Sequence, residues 1–226
     1  MKKAIQLFMV IIFIVTITAC KKTNKEEPKK EEEKMEEKVV VEEITEGTIE
    51  GYTFKEVDKQ TDRVKIQMEN GDIILIVLSN KATPITIKNF KDLVSEKYYD
   101  GLIFHRVIKG FVIQGGDITG TGSGSGNEKH IKGEFSSNGV KNDMSHNRGV
   151  ISMARASKDM NSASTQFFIV HEDSQYLDGD YAAFGRVFAG MDTVDKIASV
   201  ETDSHDRPLK EQKIKSIRFI EITKED

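Results

Sequence analysis

The sequence predicts a mainly β domain carrying two helices, folded as an antiparallel barrel or a sandwich. Three observations lead there. Short apolar runs of strand length recur between turn signals from about Val64 to Ile222. Only two stretches show helical apolar spacing. The span, roughly 160 residues, is enough for one domain with a real core. Spacing alone does not choose between barrel and sandwich.

The elements follow in order. Val64-Lys65-Ile66-Gln67-Met68 alternates, Asn70-Gly71 supplies a hairpin turn, and Ile73 to Leu78 runs apolar. Thr83-Pro84 reads as an N-cap followed by proline at the first helical position. Ile87, Phe90, Leu93 and Val94 then form an apolar stripe that ends near Lys97. Further strands are expected at Gly149 to Ala154, Gln166 to Val170, Ala183 to Val187 and Lys213 to Ile220. A second helix is expected from about Met191 to Ser199, with Val194 and Ile197 inward.

Between the first helix and these later strands lies Phe104 to Asp117, two apolar runs around a Lys109-Gly110 turn. Phe104, Arg106, Val112 and Gln114 have the same parity, which on a regular strand puts them on one face. An arginine and a glutamine on an apolar face need partners, because unpaired buried polar groups are costly. Two readings remain open for the stretch: a structural hydrogen-bond network, or a groove that binds an apolar ligand and hydrogen-bonds its backbone. The Gly120 to Gly126 run lacks both G-x-G-x-x-G spacing and a following Gly-Lys-Ser/Thr. It reads as a flexible surface loop, not a phosphate site.

The chain ahead of the domain is of a different kind. Met1-Lys2-Lys3 precedes an apolar run from about Ile5 to Ile17, shorter than the ~20 residues of a membrane span and fit for the core of a secretory signal. It ends at Cys20, the one cysteine, which has no partner for an internal disulfide. The pattern resembles a bacterial lipoprotein signal, in which Cys20 is lipidated and becomes the new N-terminus. Lys21 to about Glu46 is almost all Lys and Glu and reads as a solvated spacer. Gly47 to Asp62 is transitional, and composition does not decide its order. The predicted division is thus 1–19 signal, 20–62 tether and transitional segment, and 63–224 folded domain. It implies a membrane-anchored protein of the bacterial cell envelope, outside the cytoplasm. The net charge of −4 and the mixed signs argue against a nucleic-acid surface.

Hydrolytic and metal chemistry find no support. There is no G-x-S-x-G, and the cysteine belongs to the signal. His105, His130, His146, His171 and His205 are scattered without metal-ligand spacing, and each reads as structural or surface.

Tyr99 to Asp117, with the core Phe104-His105-Arg106-Val107-Ile108-Lys109-Gly110-Phe111-Val112-Ile113-Gln114-Gly115-Gly116-Asp117, resembles the signature of the cyclophilins, a family of peptidyl-prolyl cis-trans isomerases. The resemblance continues through Ser152 to Ala156, Ser164 to Ile169 and Leu177 to Gly185. It implies a closed eight-stranded antiparallel β-barrel capped by two α-helices. It also implies no cofactor and no metal, proline-containing polypeptides as substrates, and a monomer. By residue, it makes Arg106 the catalytic arginine and Gln114 the group that orients the arginine and the peptide. Phe111, Val112, Phe168 and Leu177 match the proline pocket, and His105 its edge. Ala154 and Arg155 match the strand whose backbone pairs with substrate, Arg155 standing where asparagine is common. Tyr176 stands where a tryptophan helps bind cyclosporin, and Tyr181 where a histidine lines the pocket. Rotation about an X-Pro bond makes and breaks no covalent bond, so the missing nucleophile, base and metal fit this chemistry. The competing expectation is a module or holdase that grips proline segments without turnover.

Overall fold

The computed structural model describes residues 41–124 and 129–225. The predicted signal, Cys20 and most of the charged tether lie outside the described residues. Among those described, no helix is long and apolar enough to cross a membrane.

Strand β1 (Glu46–Ile49) and strand β2 (Tyr52–Glu56) form a hairpin in the segment whose order composition left open. Glu50 and Gly51 turn it with φ of +48° and +86°, the twisted two-residue geometry that suits right-twisted strands. Strands β3 (Arg63–Met68) and β4 (Ile73–Leu78) meet through Asn70-Gly71, where Gly71 has φ +92° and Met68 N donates to Asp72 O at 2.8 Å.

Helix α1 (Pro84–Ser95) starts at Thr83 as expected, but the Thr83 side chain does not cap it. Its hydroxyl donates back to Asn80 O, and the carboxylate of Glu134 caps instead, accepting from Ile85 N at 3.1 Å and Thr86 N at 2.8 Å. A distant acid at a helix N-terminus is a tertiary event that local sequence does not announce.

There follow β5 (Phe104–Ile108), β6 (Val112–Gly115), β7 (Val150–Met153), β8 (Phe167–Val170), β9 (Ala183–Ala189), α2 (Met191–Ala198) and β10 (Ile214–Glu225). Val194 and Ile197 of α2 are buried, as the stripe requires. Helix α1 packs on β10, and α2 on β4, β5 and β6. Phe90 of α1 sits among Tyr99, Phe167 and Phe184, with ring centroids 5.2–5.7 Å apart.

The ten strands pair in the order β1-β2-β10-β3-β4-β9-β7-β8-β6-β5. This differs from the expected closed barrel of eight. β10 is 12 residues long and outruns β3; its first half pairs with β3, and its second half recruits β2, which carries β1. No ladder of named strands joins β5 to β10, but Ile103 and Lys213 bridge just before them, and Ile214 N donates to Leu102 O at 2.8 Å.

The alternation of β3 also has an unexpected second face. Val64, Ile66 and Met68 enter the main core, while Lys65 and Gln67 are equally buried on the other side. Residues 42–56 cover them. Lys65 Nζ donates to Ile44 O at 2.5 Å, to Gln67 Oε1 at 3.1 Å, and to the carboxylates of Glu43 and Glu56. A lysine this buried demands such partners, because an uncompensated buried ammonium is very costly.

Candidate active site

The site is built on the face of β6, β7 and β8 that points away from the main core. The β5–β6 hairpin turns at Lys109-Gly110, where Gly110 has φ +80° and Phe111 N donates to Ile108 O at 3.0 Å. Arg106 faces Gln114 across the pair, but the register shifts between Phe104 and Arg106. That irregularity corrects the parity reading. Phe104 turns into the main core with no exposed surface, while Arg106 turns to the site with its side chain 40 % exposed. A one-residue bulge re-aims everything beyond it.

Arg106, Phe111, Val112, Gln114, Ala154, Arg155, Phe168, Leu177 and Tyr181 line one cavity of about 130 Å³. At ~30 Å³ per liquid water, it has room for a few waters or one small ring. Val112, Phe168 and Leu177 form its apolar floor, packed with Val150, Val170 and Ala183. Nine of the eleven residues assigned by resemblance to catalysis or substrate binding thus converge. Tyr176 and His105 do not line it. Tyr176 is 71 % exposed and stacks on Phe111 with centroids 5.7 Å apart, which places it at the rim. His105 is buried beside Gly122, and among the described residues neither ring nitrogen has a hydrogen-bond partner. It faces an adjoining cleft shared with Arg106 and Gln114. Burial lowers its pKa, Asp117 opposes this, and Arg207 and Arg106 add to the lowering.

The polar partners also depart from expectation. Gln114 Nε2 donates to Gln166 Oε1 at 3.0 Å, and Arg106 makes no side-chain hydrogen bond to Gln114 Oε1. Arg106 Nε instead meets Asp206 Oδ2 at 3.4 Å. Asp206, a loop residue, carried no motif that sequence reasoning would find.

A buried set holds the floor from beneath. The His146 ring stacks on Phe168 with centroids 6.0 Å apart. Its Nδ1 lies 2.8 Å from Asp178 Oδ1 and its Nε2 3.1 Å from Ser152 Oγ. Burial lowers the His146 pKa, against the hydrogen bond and charge of Asp178. The structural reading of this histidine fits its contacts, which pack its ring against Phe168. Phe168 in turn meets Tyr181 edge-on, 5.7 Å between centroids.

The glycine loop holds its donors inward. Asp117 accepts from the backbone N–H groups of Thr119, Thr121, Gly122 and Gly124 at 2.6–3.3 Å. A carboxylate occupies the cradle that a phosphate would need. Among the described residues, no group of three or more His, Cys, Asp or Glu is placed to hold a metal.

Comparison with known proteins agrees with this geometry. The family model for cyclophilin-type peptidyl-prolyl cis-trans isomerase/CLD matches residues 63–219. The peptidyl-prolyl cis-trans isomerase ppi1 of Schizosaccharomyces pombe is 43 % identical over 152 residues, covering 67 % of this chain and 94 % of that protein. The human peptidyl-prolyl cis-trans isomerase-like 1 is 42 % identical over 156 residues, covering 69 % of this chain and 90 % of the other. Among solved structures, a Cryptosporidium parvum cyclophilin-type isomerase, crystallised in the presence of the dipeptide Ala-Pro, superposes with a TM-score of 0.61. It is 33 % identical and covers 70 % of this chain and 98 % of its own. The chain belongs to the cyclophilin-type peptidyl-prolyl cis-trans isomerases, and it is an enzyme of that activity.

Proposed function

We propose that Arg106 drives the isomerisation by donating to the prolyl nitrogen as the X-Pro bond twists. The barrier, ~20 kcal/mol, is amide resonance, and unaided rotation takes tens of seconds. In the twisted state the nitrogen becomes pyramidal and regains its lone pair. A donor aimed at that lone pair stabilises the transition state more than the planar ground state, which is what raises a rate. A guanidinium is always charged and carries several fixed donors. The observation that carries this reading is that Arg106 shares one small cavity with Phe111, Val112, Phe168 and Leu177. The ring of proline sits on that floor while the preceding carbonyl swings. Gln114, tied to Gln166, presents its remaining amide capacity to the peptide backbone. The Ala-Pro dipeptide named for the Cryptosporidium relative supports proline peptides as substrate class here too. The test is acceleration of cis–trans exchange in a short X-Pro peptide and its loss on removing the Arg106 side chain.

The setting belongs to the same proposal. The basic start, apolar run and Cys20 support a bacterial lipoprotein, anchored by its lipid in the cell envelope, that acts on exported chains; the monomeric state is proposed from the resemblance alone. The Ile103–Lys213 bridge supports an eight-stranded barrel of β3 to β10 closing beside β5.

A further inference from the structure

Next to the proline cavity lies a second cleft of about 250 Å³, which shares Gln114, Ala154 and Arg155 with it. His130, Ser162, Ser164 and Gln166 also line this cleft, and among the described residues no carboxylate does. Arg155 stands on the common wall, and its position is fixed. Nε donates to Asp180 O at 2.9 Å, and Nη1 donates to Ala156 O at 3.1 Å and Ser157 O at 3.2 Å. The guanidinium carbon lies 4.9 Å from the Tyr181 ring centroid and 5.2 Å from that of Phe135.

Carbonyls and ring faces hold a cation without cancelling its charge. Arg106, Arg148 and Arg218 each have a carboxylate partner, in Asp206, Asp195 and Asp100. Arg155 has none among the described residues; Arg63, Arg186 and Arg207 also have none, but of these four only Arg155 lines the proline cavity. Asp180 meets Arg155 through its carbonyl, and its Oδ1 accepts from Ser137 Oγ at 2.7 Å. A charge held in place loses little further freedom on pairing, so an incoming anion meets a prepared site.

We propose that Arg155 makes this isomerase select proline segments with an acidic side chain close to the X-Pro unit, seated in the cleft between Arg155 and His130. The proposal rests on the reading that the proline itself occupies the cavity under Arg106. It gives the enzyme a substrate class: acidic proline segments, taken up by a cationic cleft on a protein of net negative charge.

The test uses the purified protein and two series of short Ala-X-Pro peptides, with Glu or its neutral isostere Gln placed one to three residues before or after the proline. The readout is the ratio of kcat/KM for Glu over Gln at each position. We expect a ratio of about fivefold at one position, the size of a partly exposed ion pair. It shrinks toward one between ~0.01 M and ~1 M salt, as the screening length falls from ~30 Å to ~3 Å. Arg155→Gln brings it to about one, and Arg155→Lys keeps part of it. A ratio near one at every position in the wild type at low salt overturns the proposal. So does a ratio that survives intact in Arg155→Gln, or one indifferent to salt. If the Gln peptides are turned over normally in any of these cases, the isomerase reading stands without it. If no peptide is turned over, the reading of the proline site falls first and takes the proposal with it.

Discussion

Arg106 and Asp206 meet at 3.4 Å between Nε and Oδ2. Asp206 holds φ of +63°, an uncommon value for a residue with a side chain, and its carbonyl accepts from Val107 N at 2.8 Å. Asp203 Oδ1 ties the loop down by accepting from His205 N and Arg207 N. The loop thus brings an acid to the flank of the arginine. Both side chains are about two-fifths exposed (40 % and 43 %), so water screens the pair. Such pairs are worth at most about 1 kcal/mol. Asp206→Asn is therefore expected to change kcat/KM by less than about fivefold, with the difference shrinking in salt. A loss of two orders of magnitude in the same assay would make Asp206 part of the reacting set.

The Lys65 cluster predicts a stability effect remote from catalysis. Its Nζ has no exposed side-chain surface and depends on Glu43 and Glu56, which are 30 % and 16 % exposed. Breaking a fully buried pair costs about 3–5 kcal/mol. Glu43 remains when Glu56 is removed, so Glu56→Ala is expected to cost less, roughly 2–3 kcal/mol. Urea unfolding measures it. A midpoint unchanged from wild type would contradict the burial of Lys65.

These two relationships mark where the sequence was legible and where it was not. The pocket residues were readable because an ordered motif names them, and the strands β3, β4 and β8 because alternation and turns bound them. The aim of His105 was hidden, because a bulge is a backbone event that leaves no residue-type signature. The hairpin of β1 and β2 was hidden by its own composition. Glu43 and Glu46 look like tether and Glu56 falls in the transitional segment, yet Glu43 and Glu56 meet a lysine from β3. Local composition describes solvation in the unfolded chain; it does not show which charge will be covered by which. Asp206 and Glu134 were missed for the same reason, since each acts on an element far away in sequence.

Acid is expected to destabilise the fold. His105 and His146 both titrate below their ordinary value, burial being the main cause in each. In the unfolded chain both take up protons near pH 6.5. Below that point the unfolded state binds more protons, so stability is full above about pH 6.5 and falls as pH drops. Asp178 adds a second window. Burial raises it, but hydrogen bonds from Ser145 and His146 outweigh that and leave it lowered. Its contribution is present above the ordinary carboxylate range and is lost as pH falls through the folded value. Thermal melts between pH 7.5 and 5 are expected to show a falling Tm, with a shallower slope in His105→Phe. A flat or rising Tm over that range would contradict the buried, neutral histidines.

The envelope setting rests on Cys20. Cys20→Ser is expected to abolish incorporation of a radiolabelled fatty acid and to release the protein from the membrane fraction. Equal labelling in the variant would remove the lipoprotein reading and leave the isomerase untouched.

The central claim is that one guanidinium over an apolar floor supplies the rate. Its most direct test is the exchange rate of a short Ala-Pro peptide with wild type and Arg106→Ala, measured beside thermal melts of both. We expect kcat/KM to fall by a factor of ten or more, a loss of at least ~1.4 kcal/mol of transition-state stabilisation, at nearly unchanged Tm. Full turnover by a folded Arg106→Ala protein would contradict the account.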